Sequence, residues 1–495
     1  MIQRSRLLIL LLFVGCYLLQ SRTVFAQNAS SSPYSRFGIG DIQFNGFSRN
    51  TAMGGISQAM DHPYYLNLGN PASFSSISLT TYELGVNFAL NELETSKIKQ
   101  QNHTSSLGYF AFGFPVKLKK WGMGFGLLPY SNVGYSILDL RTNVLNIEEL
   151  HTYKGSGGLN QFFFSNGIRV AKNLSAGVTA SYMFGVLNQD RTVEFIDKSF
   201  YNTNVSNSTA VGWFHFNFGL QYSFDSLKVS PSDSILMFER EISLAKDSIK
   251  HLNKLIKSSK DSLSSAGIQE NIVRFENSIK QAKENRSSVV NRHVKGDWSI
   301  TTGFSLAPSA GLNARNSTLI YNFKYGIDNS ILIRDTIVDT RSEKGTLKLP
   351  LSMGFGLAAR KGSKWIMGAD FNLQNWKEYS SFGQNDSLSD SWRLGAGAQF
   401  TPNDRALKSY LKTIQYRLGF HYSQTFLNLN QTQLNEMGAS LGFGFPIRRV
   451  ASTIQLAVEA GSRGTTDNQL IREKYIRFTL GFTLNDRWFI KPKYD

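Results

Sequence analysis

The serine of Gly438-Ala-Ser-Leu-Gly442 stands between glycines at the spacing of a nucleophile elbow, and His421 lies in the preceding strand-like stretch. An elbow presents its serine on a sharp strand-to-helix turn. Here the alternation of apolar and small residues runs unbroken from 434 to 447, which places Ser440 inside a strand among inward-facing glycines. The seven histidines are scattered, with no paired-His helix and no carboxylate cluster at metal-ligand spacing. Phe37-Gly-Ile-Gly-Asp41 lacks the strand, glycine turn and helix of a nucleotide site. The expectation is a protein that is not an enzyme and uses no metal or cofactor.

The elements around those residues are strands of an unusual kind. Ile476, Phe478, Leu480, Phe482 and Leu484 alternate with Arg477, Thr479, Gly481 and Thr483, and Trp121, Met123, Phe125 and Leu127 alternate with glycines. From Leu347 to Ala359 the odd positions are again apolar, and the even ones are small or polar. A soluble sandwich would carry Lys and Glu on its second face. A second face of Gly, Ser and Ala instead predicts apolar side chains against lipid around a crowded interior. No stretch of about 20 apolar residues follows the amino-terminal one, so a spanning chain must be a closed barrel.

Fourteen such runs are predicted, near 79–91, 104–118, 120–137, 157–171, 174–189, 208–224, 297–312, 345–360, 363–378, 390–402, 411–425, 434–447, 450–461 and 473–485. Basic turns such as Lys119-Lys120 and Arg448-Arg449 follow even-numbered strands, whereas longer polar loops at 138–156, 190–207 and 313–344 follow odd ones. Short turns on one side and longer connections on the other are the habit of outer-membrane barrels. The net charge of +17 is spread over turns and loops, which points to an anionic membrane surface rather than nucleic acid.

The amino terminus reads as a secretory signal over 1–26, with Arg4 and Arg6, an apolar run and cleavage between Ala26 and Gln27. Lipoprotein processing at Cys16 is the alternative. Residues 27–77 lack sustained alternation and are expected to form a hatch inside the barrel. Strands 1–6 then fill 78–224 and strands 7–14 fill 297–495. Between them, 225–296 changes rhythm: Phe238, Ile242, Ala245, Ile249 and Leu252 fall at heptad spacing, and Ile272, Phe275, Ile279 and Ala282 return. A helical hairpin is predicted, with helices near Ser232 to Leu263 and from Ile268 on, leaving the barrel on its periplasmic side. Asp-Ser-Ile at 233 and 247 and Asp-Ser-Leu at 261 repeat every two heptads and are either solvated filler or O-glycosylation sites.

Ala52-Met-Gly-Gly-Ile-Ser-Gln-Ala-Met-Asp61, Asn70-Pro71-Ala72, Leu349-Pro-Leu-Ser-Met-Gly354, Asp370, Trp376 and Trp392-Arg-Leu-Gly-Ala-Gly397 together resemble the FadL/TodX-like family of outer-membrane proteins. That resemblance implies fourteen strands, an amino-terminal hatch closed near Asn70, Pro71 and Ala72, and a kinked third strand that opens sideways. Pro129 lies in the predicted third strand and cannot donate a ladder hydrogen bond, so it is the candidate lateral gate. Passive uptake of hydrophobic compounds such as long-chain fatty acids is the expected function, with outer-membrane lipids and hydrophobic small molecules as partners. The alternative is a non-transporting outer-membrane scaffold or secretion-associated partner that binds a periplasmic protein or the cell wall through residues 232–294. The ligand-binding residues stay unassigned.

Overall fold

The computed structural model describes residues 30–486 apart from 45, 145, 225–230, 259–261, 296–297, 407–408 and 448–450. Among them, fourteen antiparallel staves close into one barrel: β1 (Thr80–Glu94), β2 (Lys99–Lys117), β3 (Trp121–Thr142), β4 (Glu148–Arg169), β5 (Leu174–Phe195), β6 (Asn202–Ser223), β7 (Trp298–Ala307 and Ala310–Tyr325), β8 (Ile331–Leu349 and Ser352–Lys361), β9 (Trp365–Gln374), β10 (Ser391–Phe400), β11 (Gln415–Leu429), β12 (Thr432–Pro446), β13 (Thr453–Arg463) and β14 (Arg472–Asp486). The ring shuts where β14 pairs with β1, from Arg472 opposite Glu94 to Asp486 opposite Thr80. Closing the ring pairs the first strand with the last, whose backbone groups lipid could not satisfy.

The alternation has the predicted physical cause. Leu84, Val86, Phe88 and Leu90 of β1 and Phe214, Phe216, Phe218 and Leu220 of β6 are exposed, while Glu83 and Gln221, which flank them on the opposite face, are buried. The outer wall is therefore apolar and fits hydrocarbon. Trp121, Tyr222 and Trp298 lie at strand ends on the turn side, and Lys361 and Lys364 sit over the Trp298 and Phe400 rings. Aromatic rings beside lysines mark a membrane-water boundary. Among the described residues no helix is long and apolar enough to cross a membrane.

Two expectations are corrected. The stretches 138–156, 190–207 and 313–344 are not loops; they are prolonged strands joined by turns, so that β3, β4, β5 and β6 are each 22 residues long. Their polar composition reflects a sheet that continues beyond the apolar band, where neither face meets lipid. The outward face expected from Leu347 to Ala359 breaks at Pro350-Leu351: Phe355 and Leu357 are exposed, but Leu347 and Leu349 are buried in one cluster with Leu312, Trp376 and Ile39. Proline interrupts the ladder there, as does Pro308 in β7. The interior is polar as well as small, as expected: buried Glu459, Glu473 and Arg417 project from the later strands.

Between β6 and β7 stand α1 (Pro231–Ser258) and α2 (Ser262–Lys295), each helix differing by a few residues from its predicted bounds. Ala245, Ile272 and Ala282 are buried between them, and Arg286 pairs with Glu239 at 2.8 Å. At 1.5 Å per residue the 28-residue α1 is about 42 Å long.

Candidate functional site: the filled lumen and its side cleft

Residues 30–77 run through the interior, and the glycine-rich inner wall exists because this segment's backbone needs the room. A Cβ at Gly303 would fall on the Gln58 carbonyl, and one at Gly397 on that of Met53. Gly54 itself has φ +68°, and its amide donates to Ser440 Oγ at 3.1 Å. The buried Asp370 carboxylate of β9 accepts from the Ser57 amide at 2.5 Å and the Gln58 amide at 2.7 Å. Ser440 is thus a partner of the segment; Gly438–Gly442 lies within β12, not on a strand-to-helix turn. His421 Nε2 stands 3.5 Å from Tyr475 Oη and 3.9 Å from Glu436, so its near polar neighbours are those two side chains.

Asn70, Pro71 and Ala72 are completely or nearly completely buried at the start of a 3-10 turn, Pro71–Ser76. Asn70 Oδ1 caps that turn by accepting from the Ala72 amide at 3.1 Å. Its Nδ2 donates to the carbonyls of Gln58 at 2.8 Å, Leu220 at 3.0 Å and Phe304 at 3.2 Å. One side chain therefore ties the interior segment to itself, to β6 and to β7. Pro71 packs where Gly177 and Gly219 leave space. Nearer the turn side, Arg360 pairs with Asp61 at 3.0 Å, and Asn485 Nδ2 donates to the Tyr64 carbonyl at 3.2 Å. Burial, then the charges of Arg49, Arg360 and Arg417, hold His62 well below its ordinary pKa.

Pro129 sits at a break in the wall. A register shift separates Pro129 from Ser131 in the β3–β4 ladder, and pairing of β3 with β2 stops at Leu127 opposite Phe110. Beyond that point β2 keeps only β1, and the edge of β3 is taken by the interior segment. Asp41 and Ile42 pair with Asn132 and Ser131, and the Gln43 amide donates to the Tyr130 carbonyl at 2.9 Å. A side cleft between β2 and β3 is the result. The cleavage residues Ala26 and Gln27 lie outside the described residues.

Sequence reasoning missed the ion cluster that fastens this strap. Arg463 of β13 meets Asp41 at 2.9 Å and Glu473 of β14 at 2.5 Å, and its Nη2 donates to Ser32 Oγ at 2.7 Å. Alternate inward positions on β13 and β14 were its only trace in the sequence. Between strap, wall and Asn70 region lies a cavity of about 450 Å³ that reaches Tyr109, Leu128 and Pro129 at the cleft. Its wall mixes amides and ion pairs, including Arg477 with Glu459 at 3.0 Å, with Phe44 and Tyr130. Outside the spanning strands, burial raises the Asp386 pKa although the Gly38 amide opposes it.

The chain is similar in fold to a FadL homologue from Pseudomonas aeruginosa (TM-score 0.53, 10% identity, 90% of this chain and 99% of that one). It aligns also with the toluene transporters TbuX of Ralstonia pickettii (0.48, 13%, 90% and 99%) and TodX of Pseudomonas putida (0.48, 12%, 90% and 100%). At such identities the likeness extends to the fold alone. No curated protein sequence matches. The resemblance to FadL/TodX-like proteins holds at the level of fold, through the Pseudomonas aeruginosa FadL homologue. The BamG family model matches residues 1–289 and 264–495, and with the whole length covered the chain belongs to the BamG family.

Proposed function

We propose that this protein is an outer-membrane barrel that works as a scaffold, its lumen occupied by a fixed amino-terminal plug and its helical hairpin reaching into the periplasm to hold a protein or the cell wall. The observation that carries the reading is the way 30–77 is bonded at every level of the lumen, through Arg463, Ser440, Asp370, Asn70 and Arg360. Ions buried beside a plug so held would lose their hydration next to a hydrocarbon ligand. The hairpin, by contrast, presents about 42 Å of mostly exposed helix. Ser248 of its second Asp-Ser-Ile triplet donates its hydroxyl to the Leu244 carbonyl, as a solvated helix serine does; O-glycosylation would replace that hydrogen and remove the bond. Removing 232–294 tests the reading: the barrel should still fold and insert, and its envelope partner should be lost from the purified complex.

Passive uptake of hydrophobic compounds is the second reading, favoured by the β2–β3 cleft and the cavity that meets it at Pro129. In that case the strap over Asp41–Gln43 is the hatch, and the cleft releases ligand sideways into the bilayer. Cells lacking the protein would then take up laurate or toluene more slowly, and Pro129→Ala would alter the rate.

A further inference from the structure

The wall has a second break, across the β3–β6 panel from Pro129. β6 pairs with β7 at 202–211 and again at 218–223, but 212–217 has no ladder partner on that side. The facing part of β7 is where Pro308 and Ser309 divide the strand, and Pro350-Leu351 divides β8 beside it. Gly212, Phe184, Asn160 and Pro129 are register partners in turn, so the two breaks flank four mutually paired strands in one row. Trp213 shares the inward parity of buried Val211 and Gly219, yet it is 47% exposed, and a Cβ on Gly311 would meet nothing within 4 Å. Phe214 and Phe216, on the outward parity, are exposed with the rest of the lipid-facing wall. An unpaired strand edge at that depth is tolerated only where it lines a polar space. His215 and Asn217 of the gap do line the cavity, with Ser305, Ala307 and Pro350 from the two neighbouring strands. A gap in an apolar wall thus opens on a polar chamber, which suits an amphiphile whose chains stay in hydrocarbon while its head sits inside.

The charges of the chamber narrow the head. Arg477 is paired with Glu459, and Arg463 with Asp41 and Glu473. Arg393 of β10 is in no ion pair among the described residues; its guanidinium lies 5.0 Å from the centre of the Phe44 ring and 3.4 Å from the Gly54 carbonyl. Glu436 of β12 accepts from Tyr475 Oη at 2.7 Å and has His421 at 3.9 Å, with no lysine or arginine paired to it among the described residues. Both side chains line the cavity, and Ser423 of β11 stands between them in register, which sets their Cα atoms two strand spacings, about 10 Å, apart. One unpaired cation and one unpaired carboxylate in a single row match a head that carries a phosphate and an ammonium. A guanidinium takes a phosphate through its fork of N–H donors, and a carboxylate accepts from an ammonium.

We propose that the cavity and the β6–β7 gap together hold one zwitterionic phospholipid of the phosphatidylethanolamine type, its phosphate on Arg393, its ammonium on Glu436 and its acyl chains leaving between β6 and β7 into the bilayer. The lipid is a resident part of the wall. Nothing in this depends on the hairpin, and a chain lacking 232–294 should hold the same lipid, which separates failure of this inference from failure of the scaffold reading.

The experiment uses the full chain in a nonionic detergent, delipidated and titrated under native mass spectrometry with phosphatidylethanolamine, with phosphatidylglycerol and with the soluble head glycerophosphoethanolamine. Phosphatidylethanolamine should bind at one per chain, more tightly than phosphatidylglycerol, which lacks the ammonium, and than the chainless head. Arg393→Gln and Glu436→Gln should each weaken it about 10-fold or more. Gly311→Trp, at a position with open space, sets a ring at the mouth of the gap and should weaken the lipid while leaving the soluble head unaffected. Three substitutions on three strands cover the case in which one of them fails to fold, read by heat-modifiable mobility on gels. Phosphatidylglycerol or the free head binding as tightly as phosphatidylethanolamine overturns the proposal. So does no lipid bound, or lipid binding that the folded variants leave unchanged.

Discussion

Asn70→Ala should loosen the plug without opening the barrel. The substitution deletes one turn cap and three donated hydrogen bonds, but the losses are unequal. The Gln58 carbonyl keeps a second donor, Gln221 Nε2 at 2.9 Å, so it does not become an unsatisfied buried group. The Leu220 and Phe304 carbonyls lose their only link to the plug, at roughly 1 kcal/mol each, and the cap contributes about 1 kcal/mol more. The expected cost is about 2–4 kcal/mol, borne by residues 57–77 and not by the strand ladders. Hydrogen exchange read by mass spectrometry should show peptides from 57–77 exchanging some 30- to 1,000-fold faster while β5 and β6 peptides stay protected. Asn70→Asp should be worse than alanine, because a carboxylate would face three carbonyl oxygens. Unchanged exchange in both variants would refute the anchoring role, and loss of protection throughout the barrel would show that the ring depends on the plug.

Other outcomes follow from the same contacts. Asp41→Ala leaves Arg463 paired with Glu473 and Ser32, so it should cost about 1–3 kcal/mol and raise exchange in 30–44 more than in 57–77. Gly303→Val should displace Gln58 and lower the thermal midpoint of the plug, whereas Gly311→Val, where nothing lies near the added carbon, should not. The depressed pKa of His62 means the unfolded segment binds a proton more readily than the folded one. Plug stability should therefore fall as pH drops below the unfolded value near 6.5, and His62→Gln should remove that dependence of the exchange rates. Deleting 232–294 should leave the barrel's heat-modifiable mobility on gels intact.

The staves were legible because lipid imposes a period of two that little else in a strand overrides. Each of the fourteen overlaps a predicted run, though many extend beyond it, and Pro129 marked a ladder defect for the simple reason that proline has no amide hydrogen. What the alternation could not reveal was where the membrane ends. The same period-two backbone continues into β3–β6 beyond the apolar band, and polar side chains on both faces read as loops. Leu347 and Leu349 looked like lipid-facing residues because the break at Pro350-Leu351 changes what the same parity meets. The inner-wall glycines implied a crowded interior without saying what crowds it; they mark the closest approaches of the plug at Met53, Gln58 and Pro71. The Arg463 cluster was invisible since Ser32, Asp41, Arg463 and Glu473 converge only when the ring closes and the strap crosses it.

The central claim, that the hairpin and not the lumen carries the activity, is tested most directly by photocrosslinking in intact cells from a reactive residue at position 250 on the exposed face of α1. The account predicts one dominant adduct with an envelope protein or with cell-wall polymer, and the same partner missing from complexes of the 232–294 deletion. A hairpin that crosslinks to nothing, beside a deletion that copurifies with every protein the full chain holds, would contradict it.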